Sequence, residues 1–158
     1  MSGKNKSSGN AVAVNRKARY GYSIEEEVEA GLVLTGTEVK SLREGRASIN
    51  EAYVAEKEEA LWLINATIAE YGGGNRFNHD PRRPRKLLLH KRQMDKLIGR
   101  LKTKGVAAVP LRLYFNSRGF AKVMLGVAVG RKEYEKRQVI KKRDWQRDKA
   151  RIIRAKNK

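Results

Sequence analysis

A chain of 158 residues with 36 Lys+Arg, 17 Asp+Glu and no cysteine has room for one domain, and it excludes a disulfide framework, a Cys-type zinc site and a thiol nucleophile. Its longest apolar runs, such as residues 106–111, fall far short of the roughly 20 residues a membrane span needs, and the opening MSGKNKSSGN lacks the apolar stretch of a signal peptide. A formal net charge of +19 calls for a polyanionic partner, either nucleic acid or an anionic membrane.

Residues 1–13, small and polar with scattered lysines, read as a flexible arm ahead of a domain spanning 14–130. Tyr20, Tyr22, Ile24, Glu26 and Val28 alternate with Gly21, Ser23, Glu25 and Glu27. That is the period of a strand, broken at Gly31 and resumed by Leu32-Val33-Leu34. Thr35-Gly-Thr-Glu38 has capping-box spacing, and with Val39, Leu42 and a stop at Gly45 it predicts a short helix. Ser48-Ile-Asn-Glu51 has the same spacing but leads into Ala52-Tyr53-Val54, so it reads as a turn entering a strand. Tyr53–Ala55 and Leu61–Ile64, on either side of Glu56–Glu59, form a predicted hairpin.

Residues 71–85 hold three glycines and two prolines and read as a loop. Met94, Leu97, Ile98 and Leu101 then recur at helical spacing, predicting an amphipathic helix from about His90 to Thr103 that Gly105 stops. Val109, Leu111, Leu113 and Phe115 alternate with polar or smaller neighbours, as do Ala121, Val123, Leu125, Val127 and Val129 after the turn Asn116–Gly119. Pro110 has no N–H to give a ladder, which predicts an edge position for the first of these strands. Some six strands with two short helices and no βαβ spacing indicate a mainly β, α+β domain, either a small antiparallel barrel or an open sheet. Residues 131–158 carry no strand pattern and no core-sized apolar face. This tail is predicted to be disordered alone and to form a basic helix once neutralised, with Trp145 and Ile152 on one side.

The charge is arranged in blocks. Residues 1–22 carry +5, 23–72 carry −7, 73–130 carry +12 and 131–158 carry +9. A membrane-surface helix pairs its basic face with a broad apolar one, which the tail lacks, so nucleic acid is the favoured partner. Sites for chemistry are missing from the pattern: there is no GxxxxGK[ST], GxGxxG or GxSxG, and Gly72–Gly74 opens no predicted helix. His79 and His90 are the two histidines, eleven apart, which is not metal-ligand spacing. A nuclease using them as acid and base is the enzymatic alternative. Glu25, Glu27 and Glu29 share one face of the predicted strand, either as solvated charge or as acceptors for a base edge or a 2′-hydroxyl.

Several blocks in order resemble the SsrA-binding protein family, also called small protein B: Asn15-Arg-Lys-Ala-Arg19, Tyr22–Gly31, Gly36–Arg43, Arg85–His90, Gly126–Lys132, Asp144-Trp-Gln146 and Asp148–Arg151. The resemblance runs from about Asn15 to Arg154. It implies a bacterial, cytoplasmic, monomeric protein without enzymatic activity, metal or cofactor, built on an oligonucleotide-binding (OB) type β-barrel with added helices. It further implies binding to the tRNA-like domain of transfer-messenger RNA, in a delivery complex with elongation factor Tu. On a stalled ribosome the protein would stand in for the codon–anticodon pair at the decoding centre, against 16S rRNA. Its tail, helical only when bound, would occupy the empty messenger channel. A general ribosomal or RNA-binding barrel protein without that specificity is the alternative.

Carried residue by residue, the resemblance places Glu29, Leu88 and His90 against the tRNA-like domain. Leu88 would pack on an unstacked base and His90 would stack or donate. The bland alternative makes Leu88 core and His90 merely a helix start. Asn15, Arg16, Lys17, Arg19, Arg85, Lys86 and Lys122 would neutralise phosphates. Tyr134, Glu135, Lys136 and Arg137 match the segment at the decoding site, while Trp145, Ile152 and Ile153 would give the bound helix an apolar side.

Overall fold

The computed structural model describes residues 11–72, 78–130 and 133–156, with side chains in the last span described for 142–154. In chain order the elements are β1 (Ala11–Val14), α1 (Ala18–Gly21), β2 (Tyr22–Leu32), α2 (Gly36–Arg43), β3 (Ala47–Ser48), β4 (Tyr53–Lys57) and β5 (Ala60–Ile64). They continue with β6 (Thr67–Ile68), β7 (Arg85–Leu88), α3 (Lys91–Leu101), β8 (Val106–Phe115), β9 (Ala121–Gly130) and α4 (Glu133–Lys156). Seven strands form one antiparallel sheet in the order β1-β8-β9-β2-β7-β5-β4, and β3 pairs with β6 apart from it. The α+β class stands, with more short elements than the periodicity resolved. Strands as short as β3 and β6 carry too few residues for alternation to show.

The ladder ends at β1 and β4 without closing, so the hydrogen bonding gives a curled open sheet where a barrel is expected. β4 comes close to β8, yet a cleft of 600 Å³ lies between them, lined by Ala52–Glu56 and Val106–Val109. β1 covers β8 only from Arg112 to Tyr114, and the β8–β9 register shifts between Pro110 and Arg112. The proline thus sits where the outer ladder has stopped, although β8 is an interior strand and not the predicted edge. Ala11–Val14, at the end of the span expected to be a flexible arm and the start of the domain, pairs with β8.

Alternation along β8 and β9 sends Leu113, Val123, Leu125 and Val127 inward, where they meet Ala30, Leu63, Leu87, Leu42 and Ile49 in the main core. Leu97 of α3 is buried there too, with Met94, Ile98 and Leu101 packed around it. The capping box of α2 forms as predicted: Glu38 Oε1 accepts from the Thr35 amide at 2.8 Å, and Thr35 Oγ1 from the Glu38 amide at 3.4 Å. Glu38 does more than cap. It is fully buried, and its carboxylate takes Arg85 Nε at 2.7 Å and Arg83 Nη2 at 2.5 Å. Arg85, equally buried, spends its remaining donors on the carbonyls of Ala66 at 2.8 Å and Pro81 at 3.1 Å. Beside it His79 bridges Thr37 Oγ1 and the Ile68 carbonyl, both at 2.9 Å. The carbonyl only accepts, so Nε2–H donates to it, while Nδ1 pairs with the Thr37 hydroxyl. Both ring nitrogens are thereby engaged in hydrogen bonds within the fold.

Residues 133–156 form helix α4. The span contains neither Gly nor Pro and is rich in Lys, Arg, Glu and Gln, so local propensity favours a helix without a core face. Its described side chains, residues 142–154, are all exposed. Among the described residues no helix is long and apolar enough to cross a membrane.

Burial alone would raise the Glu38 pKa, but the Arg83 hydrogen bond, the Thr35 amide and the Arg85 charge outweigh it and hold the carboxyl below its ordinary value. A depressed folded-state pKa contributes stability above the unfolded value of about 4.3, lost as pH falls through the folded one. Glu38→Ala leaves the Arg85 charge buried and unpaired, an expected loss of about 3–5 kcal/mol in urea denaturation. The acid limb of stability should flatten in Glu38→Gln. A second expectation concerns the β4–β5 turn, where Glu58 and Glu59 sit at φ 54° and 60°. A two-residue turn with both φ positive favours Asn-Gly, so Glu58→Asn with Glu59→Gly should add about 1 kcal/mol to thermal stability.

Candidate nucleic-acid interface

The face of the sheet opposite the core is read directly from strand register. Val14, Arg112, Met124 and Glu29 lie side by side on β1, β8, β9 and β2. Two residues along, Tyr114, Lys122, Gly31 and Leu88 form the next row, reaching β7. Directly opposed residues share a face, so both rows point away from Leu113, Val123, Ala30 and Leu87.

At the end of these rows Glu29, Gly31, Leu88, Leu89, His90, Gln93 and Lys122 line a concavity of 480 Å³. Its floor is Gly31, flanked by Leu88 and Lys122. A Cβ there would lie 3.3 Å from Leu88 Cβ and 3.6 Å from Lys122 Nζ. Glycine inside a strand marks a close approach, and here it leaves room beside Leu88. Leu88 is 51% exposed, which settles it as surface rather than core. His90 is exposed and is the N-cap of α3, but its side chain makes no capping bond, so the ring is available. Lys86, two residues before Leu88 on β7, is exposed on the same face. The site therefore joins an apolar surface, a carboxylate, an imidazole and two lysines.

Two predicted phosphate contacts do not belong to it. Arg85 is in the Glu38 network, with its whole guanidinium buried. Asn15 is also buried: its Nδ2 donates to the Pro110 carbonyl at 3.0 Å, and its Oδ1 accepts from the Ala18 amide at 3.1 Å. It seals the point where Pro110 interrupts β8 and starts α1. Arg16, Lys17 and Arg19 are exposed, but Lys17 pairs with Glu51 at 3.4 Å and Arg19 with Glu27 at 2.7 Å. Lys17 lines the β4–β8 cleft instead of the Leu88 concavity. In the tail, Trp145, Ile152 and Ile153 are at least half exposed. Lys149 Nζ stands 5.2 Å from the centre of the Trp145 ring, a cation–π contact. Tyr134, Glu135, Lys136 and Arg137 lie on α4, outside the described side chains.

Part of the acidic block is matched internally. A bulge between Ile24 and Glu26 breaks the single outer face expected of Glu25, Glu27 and Glu29. It lets one residue, Arg100 of α3, reach both Glu25 at 2.7 Å and Glu26 at 3.7 Å. Glu29 instead takes its hydrogen bond from a neutral donor, Tyr114. Gly31, Leu89 and Gln93, which line the concavity, and Tyr114 beside it are what sequence reasoning missed. Gly31 carried a usable signal as a glycine within a strand pattern, whereas Tyr114 looked like one more alternating residue.

Comparison with known proteins gives one answer. The family model described as SmpB protein matches residues 12–155. The SsrA-binding protein of Bradyrhizobium diazoefficiens is 56% identical over 155 residues, 98% of this chain and 99% of that protein. That of Nitrobacter hamburgensis is 55% identical over the same shares. A solved chain, described with tmRNA-SmpB and the center of the bacterial ribosome, superposes with a TM-score of 0.65 at 49% identity. The superposition covers 76% of this chain and 84% of that one.

The two kinds of residue separate by stability. Leu88→Ala should cost about 1 kcal/mol or less, because half its surface is already in water. Asn15→Ala breaks two buried hydrogen bonds and should cost about 1–3 kcal/mol. Thermal denaturation of both variants checks the assignment.

Proposed function

The chain belongs to the SmpB protein family, and from that membership together with the chemistry of the Leu88 concavity we propose that it binds the tRNA-like domain of transfer-messenger RNA. The observation that carries this reading is the exposed Leu88 beside Gly31, bordered by Glu29, His90 and Lys122. An apolar surface of this kind takes the face of an unstacked base, and the carboxylate and imidazole read its edge or a 2′-hydroxyl. Lys86 and Lys122 neutralise the adjacent phosphates and position the RNA without reading it.

The curled sheet acts as an oligonucleotide-binding platform of OB type, and the protein works as a monomer in the bacterial cytoplasm. It delivers transfer-messenger RNA to stalled ribosomes together with elongation factor Tu and takes the place of the codon–anticodon pair. Helix α4 is its second module. A 24-residue helix exposed along its described side chains, residues 142–154, suits a channel walled by RNA. Its cations meet phosphate there, with Tyr134–Arg137 at the decoding centre against 16S rRNA. Trp145, Ile152 and Ile153 then supply stacking and apolar contacts along the messenger channel. The protein is an adaptor and performs no chemistry of its own.

Equilibrium binding across a salt series tests the reading, with ordinary tRNA and an unstructured RNA as competitors. Phosphate contacts alone predict affinity that falls steeply with salt and scarcely separates the three RNAs. The expected result is a preference for the tRNA-like domain that persists near physiological salt. Loss of discrimination would leave a general RNA-binding protein. Removing residues 131–158 should keep affinity for the isolated tRNA-like domain within a few fold while abolishing rescue in a translation assay. A truncation that destroys RNA binding contradicts the two-module reading.

A further inference from the structure

We propose that Tyr114 is a positioning residue for RNA recognition, holding the Glu29 carboxylate at the edge of the Leu88 concavity through a hydrogen bond that crosses strand β9. The proposal rests on the reading that this concavity receives RNA. Tyr114 is on β8 and Glu29 on β2, with β9 between them, so the two backbones are about 10 Å apart. Register explains how they meet. Tyr114 is opposite Lys122, and Glu29 is opposite Met124, two residues further along β9 on the same face. The tyrosine lies diagonally over β9, and its Oη donates to Glu29 Oε2.

The tyrosine is fixed from several sides. It is 3% exposed although it belongs to the outer face. The Arg112 guanidinium sits 5.8 Å from the centre of its ring. Burial, the hydrogen bond to Glu29 and the charge of that carboxylate push its hydroxyl well above the ordinary tyrosine value, against a smaller lowering by Arg112. The phenol therefore stays protonated and stays a donor. Glu29, in contrast, is an exposed side chain with rotamer freedom to lose. An anchored carboxylate meets an incoming donor with that entropy already spent, which is the general advantage of preorganisation. Tyr114 occupies one oxygen, and a carboxylate has about four acceptor directions, so capacity for RNA remains. The arrangement also explains why a carboxylate is tolerated where phosphates arrive. Its charge is held in one place by a neutral partner, so Lys122 and Lys86 keep their own charges for the RNA.

The test is a double-mutant cycle on the full chain, read as affinity for the tRNA-like domain relative to an unstructured RNA of equal length. Tyr114→Phe keeps the ring and its packing and removes only the hydroxyl. It should reduce that preference roughly tenfold, the effect of about one hydrogen bond, while thermal denaturation shows the fold intact. In a Glu29→Ala background the same change should have no further effect. An equal loss in both backgrounds overturns the proposal, because Tyr114 would then act without Glu29. A readout independent of RNA comes from side-chain couplings of Glu29 by NMR. One rotamer is expected in the wild type and averaging in Tyr114→Phe. Averaging already in the wild type overturns the proposal without any variant. If wild-type protein shows no RNA preference while Glu29 loses its order in Tyr114→Phe, the RNA reading fails and the positioning role stands.

Discussion

The structure depends on one buried ion pair, Arg85 with Glu38. Neither side chain has any exposure, and they approach to 2.7 Å. An isolated guanidinium or carboxylate cannot be buried at tolerable cost, whereas a pair with every remaining donor satisfied can. Here the donors go to Glu38, Ala66 and Pro81, so a single guanidinium ties α2, the β5–β6 connection and the loop before β7 into one unit. Arg83 and His79 reinforce the same junction from outside. β7 lies between β2 and β5 and carries Leu88 at its far end. With Arg85 pinned inward, strand alternation aims Lys86 and Leu88 outward, which is how a buried pair sets the position of a surface site.

Charge follows a second logic. Part of the acidic central block is paired within the molecule. Glu25, Glu26, Glu27, Glu38 and Glu51 are each matched by a lysine or arginine from another part of the chain. The exposed pairs add little stability in water. Each pair cancels one acidic charge locally against one basic charge and leaves the net +19 of the chain unchanged. Glu29 is held by a tyrosine instead, at the edge of the concavity beside Leu88 and Lys122. The same surface thus places lysine charge beside one carboxylate that is hydrogen-bonded to a neutral donor.

Blocks such as Asn15–Arg19 and Arg85–His90 mix structural and surface positions. Asn15 and Arg85 serve the fold, while Lys86, Leu88 and His90 face solvent. A motif that looks uniformly basic or uniformly like an RNA contact in one dimension is split by the strand into two roles.

Much of this protein was determined by sequence alone. The alternation of residues 109–129, the helical spacing of Met94, Leu97, Ile98 and Leu101, and the Thr35–Glu38 capping box each encode a local geometry, and local geometry follows from period and backbone chemistry. Net charge likewise named a polyanionic partner without any structure. Tertiary structure decided what period cannot: that the ladder stops short of closure beside Pro110, that a bulge puts Glu25 and Glu26 within reach of one arginine, and that Arg85 is core while Lys86 is surface. Two adjacent basic residues carry the same signal in a sequence. Their fates differ because one of them finds a carboxylate 47 residues away in the chain, and only the folded molecule brings that partner into contact.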